Sequence, residues 1–326
     1  MQGTNWGLRP HIQKILYLTV ISSIVNYGAA IWAETITEKK KRKLFAVQRP
    51  FLLSICKAYR TIANSFLCVL TGIPDLHLIP TKDSIKARVL QLKEDAYLNG
   101  TTIFASNYES PAIPLTYHHA KYCNLIINTD ASAISSKECP RAFTDGSKIH
   151  GEVGAESIIY SSSSIPTVWQ GKLSPENSVY QAELSAIQSA VNKAISNNFR
   201  TIAIYSGSQS ALYALKDRNN KNQLVQDIQN TVSAHPEIQF ILNWVKAPNG
   251  NDGNEAADFL AKDATTNIKS EVIHVPWPKS HLKYTLNAIV DSKWQEEWDS
   301  SLQGRRVHDF FLKKDLTKRH YTMNIF

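Results

Sequence analysis

The residues of this chain best suited to chemistry lie between Ala142 and Ala264, beginning with Asp145 in the run Phe143-Thr144-Asp145-Gly146-Ser147-Lys148. Taken alone, an Asp-Gly pair is first of all a turn signal. Here it is followed by Tyr180-Gln181-Ala182-Glu183-Leu184, by Ile204-Tyr205-Ser206-Gly207-Ser208-Gln209-Ser210, by Asn243-Trp244-Val245-Lys246-Ala247, and by Gly253-Asn254-Glu255-Ala256-Ala257-Asp258. Carboxylates held on rigid strands and helices are the donors that hard divalent cations require.

The elements that must position these side chains follow from the residue pattern. Strands are expected over 141–149, 153–161, 166–173, 201–206 and 238–245, and helices over 179–197, 208–216, 223–235 and 254–266. Three strands followed by alternating helices and strands imply an α/β domain, a mixed five-stranded sheet covered by helices. Leu184, Ile187, Val191 and Ala194 form one helical stripe, which places Glu183 at its edge near the helix start.

In that order and spacing the quoted segments resemble the type 1 ribonuclease H family, most closely the domains carried by non-LTR retrotransposon polyproteins. The resemblance implies a ribonuclease H-like fold and a metal-dependent endonuclease that cleaves the RNA strand of RNA–DNA hybrids. Such hydrolysis drives water in line at a phosphodiester, and two Mg2+ ions roughly 4 Å apart can do this. Carried over from the family, Asp145 would bridge both ions, and Glu183 and Asp258 would hold the second. Gly146 and Ser147 would let the backbone approach the RNA, Gln209 would reach the minor groove, and Asn254 with Glu255 would order the loop beside the ions. The plain alternatives are a solvated helix start for Gln209 and a helix cap for Asn254.

Two positions depart from the family pattern, and both would perform chemistry. A fourth carboxylate is expected directly after Ser206, where the chain has Gly207. Asp217, at the far end of the following helix, lies roughly 15 Å along and cannot substitute. The family histidine two residues after the lysine is replaced by Pro248, which can neither shuttle a proton nor donate from its backbone. The expectation is therefore a hybrid-binding ribonuclease H fold with an impaired or inactive site, a remnant of a retrotransposon polyprotein.

The rest of the chain is read more coarsely. Residues 1–107 are helical, 108–140 read as a linker, 141–268 as the ribonuclease H-like domain, and 269–326 as a basic helical tail. Leu44, Val47, Gln48, Phe51, Leu52 and Ile55 recur at the spacing of one buried helix face. Val25-Asn26-Tyr27-Gly28 through Trp32, Val47-Gln48-Arg49-Pro50 and Val69-Leu70-Thr71-Gly72-Ile73-Pro74 look like the thumb or connection region that precedes ribonuclease H in such polyproteins. No pair of adjacent aspartates after an aromatic residue occurs, so polymerase activity is not expected. In the tail, Leu282, Leu286, Ile289, Val290, Trp294 and Trp298 follow a helical stripe, so the tryptophans read as packing residues.

Composition narrows the class further. Among the 326 residues, 43% are hydrophobic and 20% charged, which is globular, and the net charge of +8 favours a polyanionic partner such as nucleic acid. Cys56, Cys68, Cys123 and Cys139 lack metal-ligand spacing and the density of a disulfide scaffold, which points to a reducing, intracellular compartment, cytoplasmic or nuclear. The apolar run Ile15 to Ala33 is interrupted by Thr19, Ser22, Ser23, Asn26 and Gly28 and reads as a buried helical hairpin, so no membrane partner is expected. His118 and His119 read as ordinary loop residues.

Overall fold

The computed structural model describes residues 7–110, 124–130, 139–161, 165–246, 252–265, 270–303, 308–309 and 311–312, with the side chains of 252–257 left aside. In chain order the helices are α1 (Pro10–Leu16), α2 (Ser22–Asn26), α3 (Ala29–Trp32), α4 (Glu38–Cys56), α5 (Asn64–Thr71), α6 (Leu78–Ala87), α7 (Val179–Ser196), α8 (Gln209–Lys216), α9 (Gln223–Ala234), α10 (Asp252–Ala264) and α11 (Lys279–Ser300). The strands are β1 (Ala96–Leu98), β2 (Thr101–Ile103), β3 (Leu125–Asn128), β4 (Arg141–Ile149), β5 (Glu152–Tyr160), β6 (Thr167–Leu173), β7 (Thr201–Ser206), β8 (Gln239–Trp244) and β9 (Glu271–Val272). The chain divides into two compact units, Met1–Ser106 with Leu282–Phe326, and Asn107–His281.

The first unit is helical apart from the β1–β2 hairpin. Its core gathers Leu52 and Ile55 of α4, Leu67 of α5, and Trp294 and Trp298 of α11. The tryptophans are 1% and 2% exposed, as the stripe on α11 requires. Gln48 also faces this core and is fully matched: its Nε2 donates to Pro74 O at 2.8 Å, and its Oε1 accepts from Leu76 N at 2.9 Å. Val47 departs from the expected stripe, being 46% exposed, because α4 buries only the narrow line of Gln48, Leu52 and Ile55. The apolar run near the N-terminus is broken at Gly28, which adopts φ +67 and separates α2 from α3. Left-handed backbone of this kind ends a helix, and glycine reaches it without strain. Among the described residues no helix is long and apolar enough to cross a membrane.

The second unit is a mixed sheet in the order β3-β8-β7-β4-β5-β6-β9. β4, β5 and β6 are antiparallel neighbours, while β4–β7, β7–β8, β3–β8 and β6–β9 are parallel. The five expected strands form its centre, and β3 and β9 extend it to seven. β3 lies within the stretch expected to be a linker, and is fixed there by pairing Leu125–Asn128 with Phe240–Asn243.

Period-two alternation assigns the two faces of this sheet. On one face Ala142, Ile159, Ile202 and Ile204 pack under α7, α8 and α9. On the other, α10 covers the three antiparallel strands so closely that a Cβ on Gly154 would stand 2.5 Å from Ala261 O. α7 starts with a reciprocal cap in which the Ser178 side chain accepts from Gln181 N and the Gln181 side chain accepts from Ser178 N. Such a box satisfies two orphan donors and fixes where the helix begins, which in turn fixes Glu183.

Candidate active site

β4 is central, bonded to β5 on one side and β7 on the other, and it presents Asp145 half-buried near the ends of the parallel strands. Burial, followed by the nearby carboxylate of Asp258, pushes Asp145 up to about 6; the Gly146 N–H and Lys262 pull the other way. Glu183 projects from the second turn of α7 and is 7% exposed. Its Oε2 is buried with no hydrogen-bond partner. Burial and then Asp145 raise Glu183 to about 8, against the Ser206 hydroxyl and the Gly146 N–H. Asp258 reaches the group from α10 and is bonded through Oδ2 to Lys262 Nζ at 2.6 Å, one turn further along. Asp145 is thus the hub at which a strand and two helices bring three carboxylates into mutual repulsion.

Gly146 explains how α7 comes so near. A Cβ at this position would stand 2.6 Å from Glu183 N and 2.9 Å from Ala182 Cβ, so the absence of a side chain lets the helix lie directly on β4. This gives Gly146 a packing reason of its own, independent of any ligand. Ser147 is half-buried in β4, paired with Gly154. Gln209 is exposed at the first position of α8, whose start is capped by Ser208. Asn254 lies in α10. Pro248, His118 and His119 lie outside the described residues.

Gly207 follows the last residue of β7, beside the same group. Its carbonyl accepts a hydrogen bond from Trp244 Nε1 at 3.2 Å, and Val245 N donates to Ser206 O at 3.0 Å, so the backbone here is held from the neighbouring strand. A Cβ added to Gly207 would meet nothing within 4 Å. There is room for a larger side chain, and none is supplied.

A further acid, fully buried and not anticipated from the sequence, stands close by. Glu156 on β5 is the cross-strand partner of Asp145 on one side and of Gln170 on the other. It is 0% exposed, and neither carboxylate oxygen has a hydrogen-bond partner. Burial first, then Asp263 and Asp145, push it up to about 8. The Gln170 amide lies near enough to ease that charge, yet directs its hydrogens to Leu260 O at 2.9 Å and Asp263 Oδ2 at 3.3 Å. A lone acid in the otherwise small and apolar run Val153-Gly154-Ala155-Glu156-Ser157-Ile158-Ile159 was the available signal.

The orphaned oxygen of Glu183 and the raised acidity constants of Asp145 and Glu183 are what a bound cation would relieve. Gly207, beside them, adds no side-chain donor. Among the described residues no three acidic, histidine or cysteine side chains converge tightly enough to enclose one ion.

The family comparison agrees with this architecture. Residues 139–266 match the ribonuclease H family. This stretch of the chain is a ribonuclease H domain, and its fold is the mixed sheet with flanking helices described above. The chain is 29% identical over 109 residues to a 115 kDa protein in the type-1 retrotransposable element R1DM of Drosophila melanogaster, a match covering 32% of this chain and 11% of that relative's length. Among solved structures it is similar to RNase H1 from the halophilic archaeon Halobacterium salinarum NRC-1, at 18% identity and a TM-score of 0.31, covering 38% of this chain and 96% of that one.

Proposed function

We propose that this chain binds RNA–DNA hybrids through its ribonuclease H domain and that its hydrolytic step is severely impaired. The observation that carries the reading is the group Asp145, Glu183 and Asp258 beside the open backbone of Gly207. Magnesium, the cation expected for the family, would be held by those three carboxylates. Gly146, Ser147, Gln209 and Asn254 are the proposed contacts to the nucleic acid. A hybrid differs from duplex DNA by 2′-hydroxyls in a wide, shallow minor groove, which polar side chains and backbone can read.

Loss of a carboxylate from such a site removes several kcal/mol of transition-state stabilisation, a rate loss of at least ~1000-fold. The test is magnesium-dependent cleavage of a labelled hybrid by the chain as it stands and by Gly207→Asp, paired with hybrid binding for both. Binding by both, with cleavage emerging only in Gly207→Asp, supports the reading. Equal and full cleavage by both rejects the role assigned to position 207.

The same reading makes the chain part of a retrotransposon polyprotein, with residues 1–107 derived from its reverse transcriptase and acting in the cytoplasm or nucleus. Its support is the similarity to the R1DM protein and the reduced thiols of Cys56 and Cys68. A reducing compartment leaves such thiols unpaired.

A further inference from the structure

We propose that the solvent-facing start of α4, through Lys39, Arg42 and Lys43, is a contact surface for the phosphate backbone of nucleic acid. The surface belongs to the helical unit, and the inference does not depend on how the ribonuclease H domain reads hybrids.

α4 carries six basic residues and one acid, and five of the basic ones, Lys39 to Lys43, are consecutive in its first turns, while its last turn has none. That distribution opposes the helix. The macrodipole places partial positive charge at the N-terminus, where carboxylates such as Glu38 are favoured and cations are not. Two of the five are nevertheless put to structural use. Lys40 Nζ donates to Trp32 O at 2.9 Å and to Thr35 O at 3.1 Å, holding the turn that leads into the helix, and Lys41 Nζ pairs with Glu297 of α11 at 3.2 Å.

The other three have no such employment. Lys39, Arg42 and Lys43 are exposed, and among the described residues none of them makes an ion pair. At the α-helical turn they fall within an arc of about 100°, on the side of α4 opposite the buried line of Gln48, Leu52 and Ile55. Standing three and four residues apart, they repel one another. The same face continues through Ala46 and Pro50, exposed and uncharged. Stability asks for none of this, and a row of anions relieves all of it. Phosphates along a strand are such a row, and side chains neighbouring on a helix face, about 5–6 Å apart at Cβ, can engage them in succession. An anionic membrane fits less well. A helix that lies on lipid needs an apolar face to insert, and α4 has buried its own, with Leu52 and Ile55, in the core of the unit.

The experiment measures binding of the full chain to a short duplex DNA and to an RNA–DNA hybrid over a range of salt, with phosphatidylserine vesicles as a third probe. It compares the unaltered chain with the triple variant Lys39→Gln, Arg42→Gln, Lys43→Gln at a temperature below both melting points. Loss of three phosphate contacts should make the dependence of log affinity on log salt shallower by about 2–3. Between roughly 50 and 200 mM salt the unaltered chain then loses roughly 40-fold more affinity than the variant. The change should be alike for duplex and hybrid, since phosphate contacts carry no sequence information. The variant should melt no lower than the unaltered chain, because it removes like charges from the wrong end of a helix. A charge-keeping variant, Lys39→Arg, Arg42→Lys, Lys43→Arg, should bind as the unaltered chain does. Equal affinities and salt slopes for the unaltered chain and the glutamine variant would overturn the proposal, as would a loss confined to the vesicles. Failure of the hybrid reading looks different: the unaltered chain would prefer hybrid no more than duplex DNA, with the effect of the glutamine variant intact.

Discussion

The two units treat a glutamate drawn out of water in opposite ways. In the helical unit Glu297 on α11 is drawn from water, which works to raise it, yet His77 Nε2 at 3.1 Å and Lys41 Nζ at 3.2 Å outweigh burial and hold it below the ordinary carboxylate range. In the ribonuclease H unit burial first, and then other acids in place of cations, push Glu183 and Glu156 up to about 8. The first arrangement ties α4 and α6 to α11 and serves the fold. The second stores repulsion at one place in the sheet, which stability alone does not ask for and which a positively charged ligand would convert into affinity.

The comparison can be broken most directly by pH. A carboxylate raised above its unfolded value binds more protons when folded, so its contribution to stability is present below about 4.5 and is lost as pH rises toward 8. For Glu183 the loss is on the order of 3 kcal/mol in cation-free buffer. Urea unfolding across that range should show the decline, and Glu183→Gln should make it shallower, leaving the part due to Glu156. A stability that instead climbs steadily from pH 5 to 8 would mean the acids of the sheet are paired after all.

A steric effect of about 2 kcal/mol comes next: Gly146→Ala should destabilise by lifting α7 from β4, and hydrogen exchange should show protection lost first around residues 179–184. Glu297→Gln should cost about 1 kcal/mol, because its side chain keeps 25% of its exposure and solvent screens the pair. The sign matters more than the size here, since a gain on neutralising Glu297 would erase the contrast with Glu183. The smallest change is expected for Gly207→Ala, within about 0.5 kcal/mol, as its Cβ meets no neighbour.

The central strands and the three-carboxylate group were legible because each rests on a local pattern: a strand followed by Asp-Gly, a helix stripe with Glu183 at its edge, a helix carrying Asp258. Gly207 stood out for the same reason, as a glycine where the resembled pattern expects an acid; Pro248, the second departure, lies outside the described residues. Glu156 was not. A strand covered by helices on both faces has no solvent side, and an acid on it looks like an outward residue until the second helix is seen. β3 was missed because four residues flanked by prolines and serines carry no period of their own; only pairing with β8 makes them a strand. Val47 fits a helical stripe by spacing, yet the breadth of the buried line on α4 is set by its neighbours and not by its own sequence.

The indole of Trp244 holding the carbonyl of Gly207 has one further consequence. Because that anchor grips the main chain and leaves the direction of a side chain clear, the position is a socket open to more than one plug. Asparagine, aspartate, histidine or cysteine could be fitted there in turn without remodelling the sheet, a graded series of donors against which the proposed cation site can be tried.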